Sequence, residues 1–434
     1  MIRIPCLAAA LALLATLGAS AQPSTNTAST SFQVDLNLSN PGARSLALGG
    51  AFVALADDAT AAFANPAGLT NLSRPEVSAE GRHWKYTHVY PNGGHAFGPA
   101  SGIGIDQTTD IKTGEATNSL TGLSFLSFTY PYKRWSFAFY RHELVNFEAD
   151  VATQGPFFDA FAPPLNQFVT FRLLPSRIRY DLNIATYGLS GAFRITDRLS
   201  AGASLTYYDF SLRSTTTRFL VPNQSPGFYQ APDFATVSNV LTENGSDNKL
   251  GGSFGLLLKV TDNWSLGTVY RKGAKFATTV TNQNTGSKPG QLKVPDAFVF
   301  GSAFKPTDQL TVTTDVTHIS YSDIQQENTR VKIDDADEVH MGLEYVLLPA
   351  GQPQHPISFR GGAWLDPDHQ PAFRGLPDES VEQRRLAVLF LRGKDEWHYS
   401  GGLGFVLGQK FQIDLAADFS KRADTVSLSS VYRF

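Results

Sequence analysis

The stretch FQIDLAADFS (residues 411–420) and the closing stretch TVSLSSVYRF (residues 425–434) both alternate between apolar and polar side chains. Successive residues of a β-strand point to opposite faces, so each stretch predicts a strand with one apolar face and one polar face. Asp414 and Asp418 fall on the polar face of the first strand. An unpaired strand edge is not tolerated in lipid, so we expect the final strand to close a barrel.

Aromatic residues stand at the ends of several predicted strands. The final strand carries Tyr432 and Phe434 on its apolar face, and we interpret this pair as the assembly signal for the barrel assembly machinery. Tryptophans at or near other strand ends are expected to form girdles at the two membrane interfaces. These tryptophans are Trp135, Trp264, Trp364 and Trp397.

From Pro75 to Phe434 the chain divides into amphipathic runs joined by two alternating kinds of connection. The short ones are rich in the residues that tight hairpins require, and they lie at 131–134, 196–198, 261–263, 306–308 and 407–410, with a longer link at 348–356. The long ones are polar or mixed, and they lie at 150–177, 213–249, 277–294, 322–338 and 365–396. Short turns at one end and long loops at the other predict a transmembrane antiparallel β-barrel of about 14 strands over residues 75–434.

Two parts of this pattern are irregular. Apolar residues occupy even positions from Ile178 to Ile184 but odd positions at Tyr187 and Leu189. A change of parity inside one strand predicts a β-bulge. The segment Pro91–Asn118 fits either a loop or an additional hairpin.

Residues 1–21 have the features of a secretory signal peptide. Arg3 gives a positive start, Cys6–Leu17 is a short apolar run, and Ala19–Ala21 is a small-residue cleavage site. We expect cleavage after Ala21, a polar tail over residues 22–39 and delivery to the bacterial outer membrane. Cys6 is the only cysteine, so we expect a mature chain without disulfides.

Composition and motifs exclude several classes of function. Charged residues make up 17% of the chain and the formal net charge is −3, which gives no reason to expect nucleic acid as a partner. No apolar run of about 18 residues follows Ala21, so no membrane-spanning helix is predicted. No cluster of His and Cys has metal-ligand spacing, and we expect neither metal nor cofactor. The motif G-x-S-x-G at 251–255 lies in a predicted strand rather than a strand–turn–helix elbow, so we predict no enzymatic activity.

Residues 40–74 do not fit a plain pore, because they are rich in alanine and glycine and have little strand pattern. We expect one or two short helices within Ala43–Leu55 and another over Ala59–Ala64, with Asp57 and Asp58 as its N-cap. Irregular chain cannot lie in lipid, whereas small apolar residues pack closely against other chain. The segment is therefore predicted to fold into the lumen as a partly helical hatch.

The run GGAFVALADDATAAFANPAGL (residues 49–69) resembles the N-terminal hatch of the FadL/TodX family of outer-membrane transporters of hydrophobic compounds. The triplet Asn65-Pro66-Ala67 matches that family's NPA motif, and Leu376–Asp378 gives a looser match to a late Pro-Asp loop. The hatch residues singled out by these patterns are Asn65, Pro66, Ala67, Asp57, Asp58, Gly49 and Gly50.

The resemblance implies a channel for passive uptake of hydrophobic small molecules, such as long-chain fatty acids or hydrocarbons. Extracellular loops would capture the substrate, the hatch would be displaced, and the substrate would leave laterally through the wall. The resemblance also implies a monomer in contact with outer-membrane lipid and lipopolysaccharide. Related hatches occur in barrels of type IX protein secretion, so a structural or shuttle barrel of that kind is the alternative function.

Two sets of side chains are candidates for substrate contacts. Exposed apolar clusters of this size often mark binding sites, although the same residues could instead pack together and cap the barrel. The expected capture residues are Phe157, Phe158, Phe161, Phe168, Phe219, Phe228 and Phe234. By alternation, the candidate luminal cations for a carboxylate head group are Arg179, Lys259, Arg271 and Arg360. The alternative for each cation is an ordinary ion pair with Asp181, Glu344, Asp315 or Asp414.

Overall fold

A computed structural model describes residues 40–223, 227–324, 330–352 and 354–434, so the expected signal peptide and polar tail lie outside the described residues. The strands are β1 Glu76–Ala96, β2 Asp110–Tyr132, β3 Trp135–Thr153, β4 Phe157–Ala162, β5 Gln167–Arg172, β6 Ser176–Arg194, β7 Leu199–Phe219, β8 Val237–Thr261, β9 Trp264–Lys272, β10 Lys275–Asn282, β11 Gly286–Lys293, β12 Ala297–Phe304, β13 Leu310–Ile319, β14 Val331–Lys332, β15 Ala336–Leu347, β16 Ile357–Asp366, β17 Ala372–Phe373, β18 Glu396–Leu407, β19 Phe411–Phe419 and β20 Ala423–Arg433. The helices are α1 Ala43–Ala47, α2 Ala61–Ala64 and α3 Val381–Leu389, with 3-10 helices at Pro66–Asn71, Pro163–Leu165, Gly227–Tyr229 and Tyr321–Ile324. Within the described ranges, no helix is both long enough and apolar enough to cross a membrane.

Fourteen of the strands form a closed antiparallel barrel, which confirms the predicted fold class. Around the ring the order is β1, β2, β3, β6, β7, β8, β9, β12, β13, β15, β16, β18, β19 and β20. The ring closes because β20 runs antiparallel to β1, from Arg433 opposite Glu76 to Ala423 opposite Tyr86. Beyond the strand, the amide of Phe434 donates to the carbonyl of Pro75 at 3.1 Å.

The short predicted turns all lie at one end of the barrel, called here the turn end, and the longer connections lie at the opposite loop end. The predicted loop 213–249 is wrong in part, because β7 continues to Phe219 and β8 begins at Val237. These extensions are mostly polar, yet the backbone ladder between β7 and β8 continues through them, with a register shift between Arg218 and Phe219. Segment 91–118 is not a separate hairpin, since its two sides lengthen β1 and β2.

The outer face of the barrel carries a belt of exposed apolar side chains. Members of the belt include Phe128, Phe137, Leu189, Leu205, Phe254, Phe300, Met341, Phe359, Tyr399, Leu415 and Leu428. Trp135, Trp264 and Trp397 are also exposed on the outer face. The girdle prediction is wrong for Trp364, which shares its parity with the buried Arg360 and stacks inside the lumen on His398, with ring centres 3.9 Å apart.

The predicted bulge in β6 is also wrong. Even-numbered residues of β6 face the lumen along the whole strand, from Tyr180 and Leu182 near the loops to Ala192 near the turns. Near the loop end the apolar side chains of β6 point inward, because the lumen itself is apolar there. Towards the turn end they point outward, because the apolar surroundings are the lipid outside the barrel. The register shift lies in the neighbouring strand β3, between Glu143 and Val145.

Candidate functional site

The hatch, residues 40–74, lies inside the barrel and is almost entirely buried. Helix α2 begins two residues later than predicted, and its N-cap Thr60 makes no side-chain capping bond. Asp58 acts before the helix instead, where its Oδ1 accepts a hydrogen bond from the Thr60 amide at 2.9 Å. The helix stops at Asn65, which has extended backbone angles, and Pro66 starts the following 3-10 helix. A proline restricts the residue before it to extended conformations, so this ending follows from the sequence.

Asn65 joins three parts of the site with its side-chain amide. Its Nδ2 donates to the carbonyls of Val53 in the hatch at 2.9 Å and Leu256 in β8 at 3.2 Å. Its Oδ1 accepts from the amide of Ala67 at 3.1 Å. Because the side chain is fully buried, the loss of these bonds would leave polar groups without partners, at a cost of about 1–3 kcal/mol each.

An ion-pair network ties the hatch to the wall at α1. Arg44 contacts Asp57 in the hatch at 2.6 Å and Glu344 on β15 at 2.9 Å. Glu344 is shared with Arg360, which also contacts Asp414 on β19, both at 2.7 Å. Arg360 is a candidate to bind a ligand head group, with an ordinary ion pair as the alternative. Its ion pairs with Glu344 and Asp414 agree with the alternative.

The other three candidate cations occupy different surroundings. Arg271 faces the lumen, but its guanidinium donates to the Asn40 side chain at 2.9 Å and the Ala64 carbonyl at 2.8 Å, both in the hatch. Arg179 is exposed on the outer face beside Asp150, so its predicted luminal position is wrong, because β6 has no bulge to reverse its parity. Lys259 is exposed at the turn end of β8. A head-group role for these cations stays a prediction.

Glycines on the inner face of the wall let the hatch backbone approach the strands. A β-carbon at Gly362 would lie 2.2 Å from the amide nitrogen of Gly49, and one at Gly267 would lie 2.5 Å from the carbonyl of Val53. The inner-face glycines that hatch backbone approaches in this way are Gly202, Gly267, Gly342 and Gly362, whereas Gly255 and Gly402 face hatch side-chain atoms of Asn65 and Ala47. Sequence reasoning missed this row, although glycine inside a strand often marks the close approach of another backbone.

Gly49 and Gly50 complete the contact from the hatch side. Both have positive φ values, +64° and +84°, which glycine adopts without strain. The carbonyl of Gly49 lies 2.7 Å from Nδ1 of His340 on β15. This tight turn therefore holds the hatch against β15 and β16.

A cavity of about 140 Å³ lies between the hatch and the wall, towards the loop end. Strands β1, β15, β16, β18, β19 and β20 line it together with residues 40–50 of the hatch. Its aromatic lining comprises Trp84, Tyr86, Tyr321 and Trp364, and its titratable lining comprises Arg82, His88, Glu338, His340, Asp366, His369, Glu396, His398, Asp418 and Arg422.

A cluster of buried apolar side chains lies on the side of the lumen opposite the cavity, between the hatch and the loop end. At its centre, the rings of Phe210 and Phe276 stack with centres 4.5 Å apart. His88, which lines the cavity, meets the edge of this cluster at Phe147, with ring centres 4.8 Å apart. The members are Leu144, Val145, Phe147, Ala149, Val151, Tyr180, Leu182, Ile184, Tyr208, Phe210, Leu212, Ala274, Phe276, Leu292 and Val294.

Beside this cluster the barrel wall has a gap, formed where β2 and β3 separate. Their backbone ladder ends at Phe125 opposite His142, and towards the loop end β2 pairs with β1 while β3 pairs with β6. Among the described residues, side-chain bonds across the separation include one from Arg141 to the carbonyl of Leu123 and one from Asn118 to the carbonyl of Glu148 at 2.7 Å. Leu123 is the last exposed large apolar side chain of β2 before this separation, so the gap opens at the loop-side border of the apolar belt.

The predicted capture residues do not form one exposed surface. Phe157 and Phe158 are buried, and Phe158 stacks on Phe171 with ring centres 5.6 Å apart. Phe219 is also buried, while Phe161, Phe228 and Phe234 are half-buried. Phe168 alone of the seven is exposed, at 50%. The alternative interpretation, in which these residues pack together as a cap, describes most of them.

Arg172 on β5 ties two loops of this cap together. Its guanidinium lies over the ring of Phe157 at 5.1 Å and donates to the carbonyls of Phe228 at 2.8 Å and Gln154 at 2.7 Å. Burial lowers the pKa of Arg172 to about 10, which still leaves the side chain charged at neutral pH. The loop end is thus held by a buried cation as well as by apolar packing.

Ser253 of the G-x-S-x-G motif lies within β8, paired with Ser204 of β7 and Arg271 of β9. A nucleophile elbow requires a sharp turn between a strand and a helix. The motif in this chain forms no such turn, so it supplies no hydrolase geometry.

Comparison with known proteins yields matches among solved structures only. No protein-family model matches the chain, and no curated protein does. A Pseudomonas aeruginosa FadL homologue superposes with a TM-score of 0.60 at 14% identity, covering 93% of this chain and 99% of its own. The CymD monoaromatic hydrocarbon channel gives 0.53 at 16% identity, and the Ralstonia pickettii toluene transporter TbuX gives 0.52 at 16% identity. Each of these two covers 92% of this chain and 99% of its own. The chain therefore has the fold of the FadL-type channels for hydrophobic compounds.

Proposed function

We propose that the protein is an outer-membrane channel for the passive uptake of hydrophobic small molecules. The observation that carries the proposal is the wall gap between β2 and β3, which has apolar surface on both sides. Leu144, at the inner margin, belongs to the buried luminal cluster. Leu123, at the opposite margin, is 48% exposed on the outer face. A solute that crosses the gap would pass from one apolar environment to another.

The proposed path runs from the loops, through the lumen above the hatch, to the gap. A solute on this path keeps its apolar surface away from water, which is favourable by about 25 cal/mol per Å². A straight path to the turn end is blocked by the hatch, whose residues are almost all buried against the wall. Release into the lipid is downhill for a hydrophobic solute, so the proposal requires no nucleotide and no cofactor.

We further propose that displacement of the hatch accompanies passage. Asn65 is placed to couple the two events, because its side chain bonds both to the hatch and to β8. The chain would act as a monomer, inserted by the barrel assembly machinery and surrounded by outer-membrane lipid and lipopolysaccharide.

The alternative function, a barrel of type IX protein secretion, has weaker support from the geometry. The luminal cavity holds only about 140 Å³, a volume of the order that accommodates one benzene-sized molecule. A folded or extended protein substrate would need a far wider opening. The lateral gap beside an apolar cluster likewise suits a small solute.

Replacing Phe168 with aspartate should weaken capture at the loops. Its ring is half-exposed and meets Phe161 edge-on, with centres 5.8 Å apart. A charge at this position would remove apolar contact area worth roughly 1 kcal/mol, so the half-saturation concentration for toluene uptake should rise about fivefold. The measurement is the initial uptake rate of radiolabelled toluene by cells that lack other channels of this fold.

The matched control is Leu348→Asp, which changes an equally exposed apolar residue at the turn end. Uptake by the control should equal that of the wild type. Phe158→Asp is unsuitable as a test, since Phe158 is buried and its change would disturb loop packing. If cells with the wild-type protein took up toluene no faster than cells with an empty vector, the proposed function would be wrong.

A further inference from the structure

We propose that the luminal cavity selects a neutral aromatic compound that donates a hydrogen bond, of the phenol class. This inference rests on the proposed role as a channel and names the substrate class that its cavity would hold. The volume of about 140 Å³ is close to the roughly 150 Å³ of an engineered apolar cavity that binds benzene. A single six-membered ring with a small substituent therefore fits.

The walls favour an aromatic ring. Trp364 is stacked between His398 and His340, with ring centres 3.9 Å and 5.3 Å away. Across the cavity lining, Tyr321 stacks on His369 with centres 4.0 Å apart and planes inclined by 6°. Aromatic rings also attract one another edge to face, so the edges of these stacked rings favour contact with the face of a flat ligand.

The charges in the wall favour a neutral ligand. Each of the four carboxylates in the lining already has a basic partner within 4 Å: Glu338 with His340 at 3.1 Å, Asp366 with His369 at 3.4 Å, Asp418 with His398 at 2.7 Å and Glu396 with Arg422 at 3.8 Å. Because these charges are already paired, a ligand carboxylate would find no uncompensated cation among them and would lose its hydration without gaining a partner. A ligand cation would compete with partners that are already in place.

The hydrogen-bonding groups of the wall favour a ligand that donates. The indole N–H of Trp364 donates to Oδ2 of Asp418 at 3.2 Å, and Oδ1 of Asp418 lies 2.7 Å from Nδ1 of His398. Both ring nitrogens of His340 also have partners, the Gly49 carbonyl and Glu338. Oδ1 of Asp366, in the same lining, is buried and accepts no hydrogen bond from the described residues, although a carboxylate oxygen is an acceptor only. A hydroxyl on an aromatic ring supplies the missing donor.

Four probes of matched shape test this inference by calorimetric titration of the full-length protein purified in detergent: p-cresol, toluene, p-toluate and 4-methylbenzylamine. We expect p-cresol to bind at least tenfold more tightly than toluene, because one hydrogen bond to a charged acceptor adds about 1.5–3 kcal/mol. We expect p-toluate to bind more weakly than either. Equal or tighter binding of toluene, or tightest binding of p-toluate or of 4-methylbenzylamine, would overturn the inference.

Asp366→Asn provides the site-specific test. Its side chain lines the cavity and is 17% exposed, and the amide replaces acceptor sites with donors. We expect the affinity for p-cresol to fall about fivefold to tenfold while the affinity for toluene is unchanged. The control is Asp337→Asn, whose carboxylate is 75% exposed and paired with His318 outside the cavity. Unchanged p-cresol affinity in Asp366→Asn would contradict the proposed site.

Folding and transport are checked separately. Heat-modifiable migration on a gel establishes that a variant has a closed barrel, and Glu396→Gln, on β18 in the same lining, serves if Asp366→Asn fails this check. Toluene uptake by cells tests the channel function independently of ligand preference. Uptake without selective binding of p-cresol would reject the inference alone, whereas selective binding without uptake would reject the channel and leave the binding site.

Discussion

Replacing Gly362 with valine is expected to admit water-soluble solutes through a barrel that normally excludes them. Gly362 lies on the inner face of β16, where an added β-carbon would stand 2.2 Å from the amide nitrogen of Gly49. That contact is with backbone, which cannot rotate away as a flexible side chain can. Overpacking of this kind costs about 1–3 kcal/mol, and moving the hatch away relieves it.

The wall itself should survive the change, because Gly362 keeps its backbone pairing with Gly342 and Ser400. We therefore expect heat-modifiable barrels together with a several-fold rise in the entry of a polar dye into proteoliposomes. Gly361→Val is the matched control: this neighbour faces the other way, and the nearest atom to its β-carbon, the Ser400 carbonyl oxygen, is 3.9 Å away. A Gly362→Val barrel as tight as the wild type would show that the hatch does not depend on this contact.

Replacing Gly122 with tryptophan should block the wall gap and nearly abolish uptake of hydrophobic solutes. Gly122 lies on β2 next to the gap, and the nearest atom to an added β-carbon is Oε1 of Glu143 on β3, at 3.4 Å. An indole at this position would fill the separation between the two strands. A barrier raised by roughly 1.4 kcal/mol already slows passage tenfold, and a filled gap should raise it by more.

Binding and passage should separate in this variant. Because Gly122 is not among the residues that line the cavity, Gly122→Trp should still bind aromatic probes while uptake by cells falls at least tenfold. Gly191→Trp is the control, since it adds the same side chain to β6 with only the ring of Phe137 near its β-carbon, at 3.9 Å. Normal uptake through Gly122→Trp would mean that solutes leave by another opening.

The barrel was predictable from the sequence because a strand with lipid on one side and a polar lumen on the other must alternate. Phe411–Phe419 follows this rule, and its alternation matches the faces found in the structure. The rule fails in β6, where Tyr180 and Leu182 are apolar and face inward. Near the loop end the lumen is apolar too, so polarity no longer distinguishes the inside from the outside.

The candidate site was only partly predictable. The hatch was predictable because residues 40–74 are rich in small residues and lack strand alternation, and Pro66 indicated where its second helix ends. The cavity could not be predicted from residues that are neighbours in the sequence. His340 and His398 lie on different strands, and Trp364 stacks between them only in the folded barrel. The loop aromatics misled for a related reason: Phe158 and Phe168 have the same chemistry, and only packing buries one of them.

The measurement that tests the central claim most directly is a crystal structure of the protein soaked with bromobenzene, in which bromine is located by its anomalous scattering. If hydrophobic solutes travel through the lumen and leave sideways, bromine should lie in the cavity, against the cluster around Phe147 and Phe210, and in the gap beside Gly122. Any displacement of the hatch should leave the axial path to the turn end closed. Bromine found only on the outer belt, or below a displaced hatch along the barrel axis, would contradict lateral delivery.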